Sequence, residues 1–324
     1  MTVALAVLAV ALVMGVTFGP VSLSLSKILR TIFGIHGGLT GTDRVILLQL
    51  RLPRVVLATL VGAALAASGA AYQTVFRNPL ADPYLLGVAA GAGLGATLAF
   101  IGRSPGVTPS VPIFAFVGGV ISVGATLMLA GAHGRDPVTV ILAGIAFGAF
   151  ATAIQTYLQQ RNTAVLRPVY SWILGQLNGA GWTSVRDVAP YIIAALATLH
   201  ILSRRMDALM LSDDEARSLG VNPGRLRLMV ILTATLATST AVAASGLIGF
   251  VGIVVPHLIR SMTHRATSRA ITTIAVAGGA FLVLADLGAR TIVSPAELPI
   301  GVITAFVGAP FFLFVLRARG RGLT

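Results

Sequence analysis

The sequence predicts an all-α protein that crosses a membrane about ten times. Hydrophobic residues make up 56% of its 324 residues and charged residues only 10%. A soluble domain carries roughly 25% charged residues, so this chain has too few to cover a surface that faces water. The apolar residues also fall into stretches of about 16–22, near the ~20 that a helix needs to cross a hydrocarbon core.

Polar residues, prolines and glycines separate these stretches, and we interpret each stretch as one helical span of a single domain over residues 1–324. The boundary at Gly246 is open, because two short spans there can also be joined into one long broken span. The ten predicted spans cover residues 3–19, 54–75, 84–101, 111–131, 138–158, 187–203, 227–246, 247–262, 269–290 and 298–316.

Basic residues predict the orientation. With ten spans, thirteen of the 23 lysines and arginines lie on the side of the two termini and ten on the other side. Cytoplasmic loops carry an excess of basic residues, so we expect a multi-pass protein of the cytoplasmic (inner) membrane with both termini in the cytoplasm. The net charge of +13 does not indicate nucleic acid, since the arginines stand mostly singly between apolar stretches, and the lack of cysteine excludes disulfides and thiolate metal sites.

A short repeat predicts two related halves. The letters AASG occur at 66–69 and at 243–246, and each copy is followed ten residues later by a proline, Pro79 and Pro256. The copies lie in the second and seventh spans, and this odd offset gives them opposite directions through the bilayer, as in inverted-repeat transporters. Spans 2–5 and 7–10 are then the two halves. Tight packing of small residues alone is the alternative explanation.

The chain carries no nucleotide-binding motif that could drive transport. Lys27 is the single lysine, and no GxxxxGK[ST] motif surrounds it, so the chain is not a P-loop ATPase. Coupled carriers usually hold ionisable residues in their spans, and Asp286, with Glu297 at a span edge, keeps a proton- or Na⁺-coupled carrier open as an alternative. A membrane enzyme is disfavoured, because no cluster of His, Asp and Glu falls in the spans.

The segment LSDDEARSLGVNPGR, residues 211–225, holds three of the ten acidic residues. Ser212 and Glu215 have the spacing of a capping box, and acidic residues in the first turn favour a helix start. Gly220 suits the left-handed position after a helix, and the following Asn-Pro pair prevents continuation. These signals predict a short helix at 213–219. Such a helix is marginal in water, so we expect its own chain or an external ATPase to hold it.

Six stretches of the sequence stand out: RLPR (51–54), VGAALAASGAAYQTVFRNPLADPYLLGVAAGAGLGA (61–96), ILAGIAFGA (141–149), LSDDEARSLGVN (211–222), SGLIGFVGIVVPHLIR (245–260) and ELPIGVITAFVGAPFF (297–312), within which RNPLADP and GFVGIVVPHLIR are long and specific. Together they resemble the permease subunits of type II ABC importers, the FecCD/BtuC-type family for iron chelates, haem and cobalamin. The resemblance covers nearly the whole chain from Arg51 onward.

The resemblance implies a homodimeric permease that catalyses no reaction itself and binds no cofactor or metal. Its implied partners are a second copy, two ATPase subunits that carry ATP and Mg²⁺, a periplasmic or lipid-anchored substrate-binding protein, and membrane lipid. The implied cargo is a metal chelate, a ferric siderophore first, with haem or cobalamin as the alternatives. The chelate cannot be told from this chain, because in this family the binding protein selects it.

The same resemblance assigns roles to residues of this sequence. In the cytoplasmic loop 204–226, the coupling helix that docks on the ATPase matches Ser212, Asp213, Asp214, Glu215, Ala216, Arg217, Leu219 and Gly220, and its carboxylates are expected to face basic groups on the ATPase. The arginines that hold carboxylates of the binding protein match Arg51, Arg54 and Arg290, with interfacial snorkelling as the alternative. The cytoplasmic gate matches Asn78, Pro79, Leu80, Val138 and Thr139.

Overall fold

The computed structural model describes residues 1–21, 23–103, 110–131, 137–263 and 267–320. Within these ranges the chain is helical and contains no β-strand, which confirms the predicted all-α class. Arg135, Arg265 and Arg321, which count toward the predicted charge bias, lie outside the described residues. The described α-helices are α1 Thr2–Thr17, α2 Leu25–Ile32, α3 Gly41–Val45, α4 Leu52–Val75, α5 Val88–Ile101, α6 Val111–Ala130, α7 Pro137–Arg161, α8 Leu166–Ile173, α9 Trp182–Met206, α10 Asp213–Ser218, α11 Pro223–Ser245, α12 Val251–Thr263, α13 Thr267–Thr291 and α14 Ile300–Gly320.

Every predicted span coincides with one of these helices. A π-helical turn, Ile46–Arg51, joins α3 to α4 without a break. Four shorter apolar helices, of 10–17 residues, occupy the positions of the first, third, eighth and tenth predicted spans. The count of ten spans stays a prediction. Six segments are long and apolar enough to cross a membrane: Gly41–Val75, Val111–Ala130, Val138–Arg161, Trp182–Met210, Pro223–Ser245 and Ala270–Thr291.

Helix α4 lies at the centre of the bundle. It is buried along most of its length and packs against α9, α11, α12 and α13. The first helix of each predicted half packs on the second and third helices of the other half. In this way α4 packs on α12 and α13, and α11 packs on α5 and α6. This reciprocal pattern supports spans 2–5 and 7–10 as related halves.

Two non-helical segments meet inside the bundle. Residues 246–250 separate α11 from α12, so the open boundary at Gly246 divides two helices. The hydroxyl of Tyr84, in the turn between α4 and α5, donates to the carbonyl of Ile248 at 3.0 Å and accepts from its N–H at 3.1 Å. Non-helical backbone at membrane depth is tolerated only against protein or a water-lined cavity. Tyr84 therefore supplies a partner that this segment needs.

The two AASG copies do not occupy equivalent positions. The copy at 66–69 lies inside α4, whereas the copy at 243–246 ends α11. Pro79 lies in a turn, and Pro256 lies inside α12. The two copies therefore do not mark the same helix position in the two halves. A helix ends where its backbone groups find other partners, and at Gly246 a left-handed φ of 68° ends α11.

Candidate functional site

A cluster of charged residues lies at the N-terminal end of α4. Arg54 donates from Nε to Asp286 at 2.9 Å and from its two terminal nitrogens to Glu297 at 3.0 and 2.9 Å. Arg290 contacts the second oxygen of Asp286 at 3.0 Å through Nε. Asp286 is 1% exposed, and a buried carboxylate is stable only when it is paired in this way. Arg54 thereby joins α4 to α13 and to the segment before α14.

Arg51 and Arg290 bind the C-terminal end of α1. The last carbonyls of a helix lack partners within that helix, and positively charged donors there also oppose the helix dipole favourably. Both guanidiniums are buried. Arg51 donates to the carbonyls of Val16, Thr17 and Val21, and Arg290 donates to those of Gly15 and Phe18.

This arrangement buries two of the three arginines predicted to dock the binding protein, and the docking role of Arg51, Arg54 and Arg290 stays a prediction. Arg51 and Arg290 are buried against α1, and Arg54 contacts the partly exposed Glu297. The reason is that α1 ends beside α4 and α13, so its carbonyls take the nearest guanidiniums. The three arginines and Glu297 nevertheless border an open recess of about 460 Å³, whose wall also includes Asn178.

Helix α10 begins with the predicted capping box. The hydroxyl of Ser212 accepts from the N–H of Glu215 at 3.3 Å, and the Glu215 carboxylate accepts from the N–H of Ser212 at 2.9 Å. The Ser212 hydroxyl also donates to that carboxylate at 2.8 Å. The hydrogen bonds from the Ser212 hydroxyl and backbone lower the pKa of Glu215, so the cap is charged and intact at neutral pH.

The C-terminal end of α10 is closed as well. Gly220 has a φ of 76°, the left-handed conformation that was predicted. Its N–H donates to the carbonyl of Arg217 at 2.9 Å, and the N–H of Val221 donates to that of Ala216 at 3.0 Å. This pair of hydrogen bonds is a Schellman motif. The side chain of Ala216 is buried, so α10 has a fixed inner face.

Asp213 is bound by arginines of its own chain. Its carboxylate accepts from Arg227 at 2.6 Å and lies 3.4 Å from Arg77. The hydrogen bond from Arg227 is the main cause of the lowered pKa of Asp213. The stabilisation is therefore present at neutral pH and is lost as the pH falls through that lowered pKa. Asp214 pairs with Arg217 of the same helix at 2.7 Å. Two guanidiniums of its own chain therefore bind Asp213, and the expectation that these carboxylates face an ATPase stays a prediction.

Three large apolar side chains next to α10 in the sequence are exposed. Met210 and Leu211 precede the helix, Leu219 follows it, and all three are exposed, Leu219 by 65%. We call these three residues the apolar patch.

The predicted gate residues after α4 form a closed turn. The side-chain oxygen of Asn78 accepts from the N–H of Leu80 at 2.9 Å, and the carbonyl of Asn78 accepts from Ala81 at 3.0 Å. Asn78 is exposed, while Pro79 and Leu80 are half-buried. The other predicted gate residues, Val138 and Thr139, lie in the first turn of α7, and Val138 is exposed. The gate role of both segments stays a prediction.

The charged cluster and the α10 region lie at opposite ends of α4. Arg54 stands in its first turn, and Arg77 follows its last turn. At 1.5 Å per residue, this separation is roughly 35 Å, about the thickness of a bilayer. Sequence reasoning missed Arg77 and Arg227 as partners of Asp213. The place of Arg77 at the start of the RNPLADP motif could have indicated its importance, whereas no local sequence pattern indicates Arg227.

The apolar helices form a bundle with a non-helical break in each half and polar sites at its two ends. This arrangement is that of a multi-pass membrane permease. Residues 7–318 match the FecCD transport family, and the chain belongs to that family. It is the permease component of an ABC importer, a multi-pass protein of the cytoplasmic membrane.

Individual relatives agree with this assignment. The chain is 39% identical to the Fe(3+) dicitrate transport system permease protein FecD of Escherichia coli, over 84% of this chain and 85% of the relative. It is 38% identical to the cobalamin import system permease protein BtuC of Halobacterium salinarum, over 87% and 76%. A solved ABC transporter assigned to the metal-chelate type, in an inward-facing conformation, superposes with a TM-score of 0.85 at 28% identity, over 97% of both chains.

Proposed function

We propose that this chain is the translocating subunit of an ATP-driven importer for a metal chelate, with a ferric chelate as the first candidate and cobalamin or haem as the alternatives. The observation that carries the proposal is the rigid, capped helix α10 with its exposed apolar patch, at the end of α4 opposite the arginine cluster. An ATPase outside the chain needs a rigid element of the permease to bind and displace. The substrates named for the relatives, ferric dicitrate and cobalamin, support the metal-chelate class.

The proposed assembly contains two copies of this chain. Two ATPase subunits, which carry ATP and Mg²⁺, bind the cytoplasmic ends at loop 204–226. A substrate-binding protein docks on the outer end, at the recess beside Arg54. Both termini are then cytoplasmic. Arginine suits the docking role, because its planar fork binds a carboxylate through two nitrogens, as Arg54 binds Glu297.

Reconstitution tests the proposed function. The permease is placed in liposomes with its ATPase and a loaded binding protein, and uptake of ferric chelate is measured. We expect uptake only with ATP on the side of α10, and none from a proton or Na⁺ gradient. Uptake driven by an ion gradient, without nucleotide or ATPase, would contradict the proposal and favour a coupled carrier that uses Asp286.

Leu219→Asp is expected to weaken ATPase binding. A buried leucine contributes about 1.5–3 kcal/mol, so its replacement by a charge should lower affinity at least about tenfold. The measurement is co-purification with the ATPase in detergent, with Leu219→Met as the matched control that keeps an apolar side chain. Equal co-purification of both variants would show that the ATPase does not contact the apolar patch.

Glu297→Gln is expected to strengthen docking of the binding protein. Glu297 occupies the fork of Arg54, so removal of its charge frees that guanidinium for a carboxylate of the partner. The dissociation constant, measured by surface binding to the permease in nanodiscs, should fall several-fold, and the gain should shrink as salt screens the charges. A weaker complex would mean that Glu297 itself contacts the binding protein.

A further inference from the structure

Arg77 joins the α10 region to the predicted gate turn. Its Nε donates to the carbonyl of Leu209 at 2.7 Å, and a terminal nitrogen donates to the carbonyl of Leu211. The same nitrogen lies 3.4 Å from Asp213, the first residue of α10. One guanidinium therefore contacts the segment before α10 at two points and the helix itself at a third.

The backbone of Arg77 is held in an uncommon conformation. Its φ is +50°, in the left-handed region that residues with a side chain rarely adopt. Such a conformation persists only where the surroundings determine it. The N–H of Arg77 donates to the carbonyl of Thr74 at 3.3 Å and that of Asn78 to the carbonyl of Gln73 at 3.1 Å, the Schellman pair that ends α4 in this conformation. The guanidinium adds contacts with residues more than 130 positions away, so the turn after α4 is tied to the segment before α10.

The gate turn directly follows Arg77 and is closed by short hydrogen bonds. The N–H of Asn78 donates to the carbonyl of Gln73 at 3.1 Å, and the side chain of Asn78 closes the turn on Leu80 at 2.9 Å. The side chain of Gln73 also donates to the carbonyl of Ala81 at 3.3 Å. A displacement of Arg77 is thus passed to Asn78 and Leu80 through short, directional contacts.

Asp213 is shared between the two sides of this junction. Arg227, in α11, holds it at 2.6 Å, whereas Arg77 holds it at 3.4 Å. A shift of α10 relative to α11 would alter both contacts of Asp213. Arg77 is in addition tied to the segment before α10 through the carbonyls of Leu209 and Leu211, so it follows that segment.

We propose that Arg77 is a positioning residue that transmits movement of α10 to the turn Asn78–Leu80, and so sets the cytoplasmic gate according to the state of the ATPase. This inference rests on the proposed function, because it needs a motor that moves α10. If Arg77 had a purely structural role, the turn Asn78–Leu80 would keep one conformation in every state of the ATPase. If Arg77 transmits movement, the exposure of this turn depends on the nucleotide bound to the ATPase.

The test uses the lack of cysteine in this chain. A single Leu80→Cys substitution gives a reporter whose labelling by a hydrophilic maleimide measures exposure of the gate turn. The complex with its ATPase in nanodiscs is labelled without nucleotide and with ATP plus vanadate. In the parent we expect labelling rates that differ by about fivefold or more, the lower end of typical allosteric couplings.

Arg77→Gly is the main variant, because glycine keeps the left-handed backbone and removes the guanidinium. We expect its labelling rates with and without nucleotide to fall within about twofold of each other, below the range of typical couplings, and substrate uptake to fall about tenfold. Co-purification with the ATPase is measured in parallel, and labelling rates are compared only for the assembled complex. Arg161→Ala, which removes an exposed guanidinium from the end of α7, is the control and should respond as the parent does.

The outcomes separate this proposal from the proposed function. If the labelling rate of the Leu80→Cys reporter in the parent did not depend on ATP or on the ATPase, both the proposed function and the role of Arg77 would be overturned. A parent that responds and an Arg77→Gly variant that responds equally would overturn the role of Arg77 alone. If Arg77→Gly fails to assemble, Arg77→Lys replaces it, because a single ammonium cannot reach both carbonyls and Asp213 together. A nucleotide response in Arg77→Lys equal to that of the parent would then overturn the proposal.

Discussion

Asp286→Asn is expected to destabilise the protein more than any other single change of charge. The substitution keeps the volume of the side chain but leaves Arg54 and Arg290 without their shared carboxylate. Both guanidiniums are largely buried, and breaking a buried pair by removing one partner costs about 3–5 kcal/mol. Since Arg290 also binds the end of α1, we expect α1 to detach from α13 early in unfolding.

Thermal unfolding in detergent measures this effect. The melting temperature of Asp286→Asn should fall by about 10 °C, given roughly 2–4 °C per kcal/mol in proteins of a few hundred residues. Glu297→Gln is the matched control, since it makes the same chemical change at the other carboxylate of Arg54. Its side chain is 31% exposed, and such a pair contributes only about 0–1 kcal/mol. Equal melting of Asp286→Asn and the parent would mean that the two guanidiniums find other partners.

The features that could be predicted from the sequence depend on near neighbours. Hydropathy located a helix at every predicted span, because about 20 apolar residues in a row specify a membrane helix almost alone. The capping box of α10 was predicted as well, since Ser212 and Glu215 are three residues apart and need nothing else. The left-handed Gly220 follows from the same local rules.

The contacts that could not be predicted join distant parts of the chain. Arg51 and Arg290 were each predicted to hold a carboxylate of the binding protein, with an interfacial arginine as the alternative. Their actual acceptors are the carbonyls at the end of α1, up to 275 positions away along the chain. Which face of α1 meets α13 is decided by packing, and no pattern around either arginine encodes it.

The two halves of the bundle also depend on contacts between distant parts of the chain that the sequence pattern does not encode. The AASG letters indicated two related halves, and the packing partners of α4 and α11 support that idea. The two AASG copies nevertheless lie at different positions along their helices, because α4 continues past its copy and α11 ends at Gly246. The hydrogen bonds of Tyr84 to Ile248 help to hold that ending, and they depend on the position of the turn between α4 and α5.

Gly62→Ala is expected to have a large effect on helix packing. Helices α4 and α13 cross with their backbones in contact at Gly62 and Gly278. A Cβ at Gly62 would overlap the carbonyl of Gly278 and lie 2.7 Å from the Cβ of Leu282, where ordinary contacts begin near 3.4 Å. Small residues allow such close crossings in membranes, and the clash is with backbone, which no side-chain rotation relieves. Overpacking of this kind costs about 1–3 kcal/mol or more.

The crossing matters beyond its own energy, because α4 carries Arg54 at one end and Arg77 just past the other. A shift of α4 away from α13 would pull Arg54 from Asp286, so the melting temperature and ATP-driven uptake should fall together in Gly62→Ala. Gly124→Ala is the matched control, since a Cβ at that position in α6 meets no atom within 4 Å. It should melt at or slightly above the parent, as alanine favours a helix by about 1 kcal/mol over glycine. If the two variants melted alike, the α4–α13 crossing would have to be looser than described, and the two ends of α4 would not be held by one rigid contact.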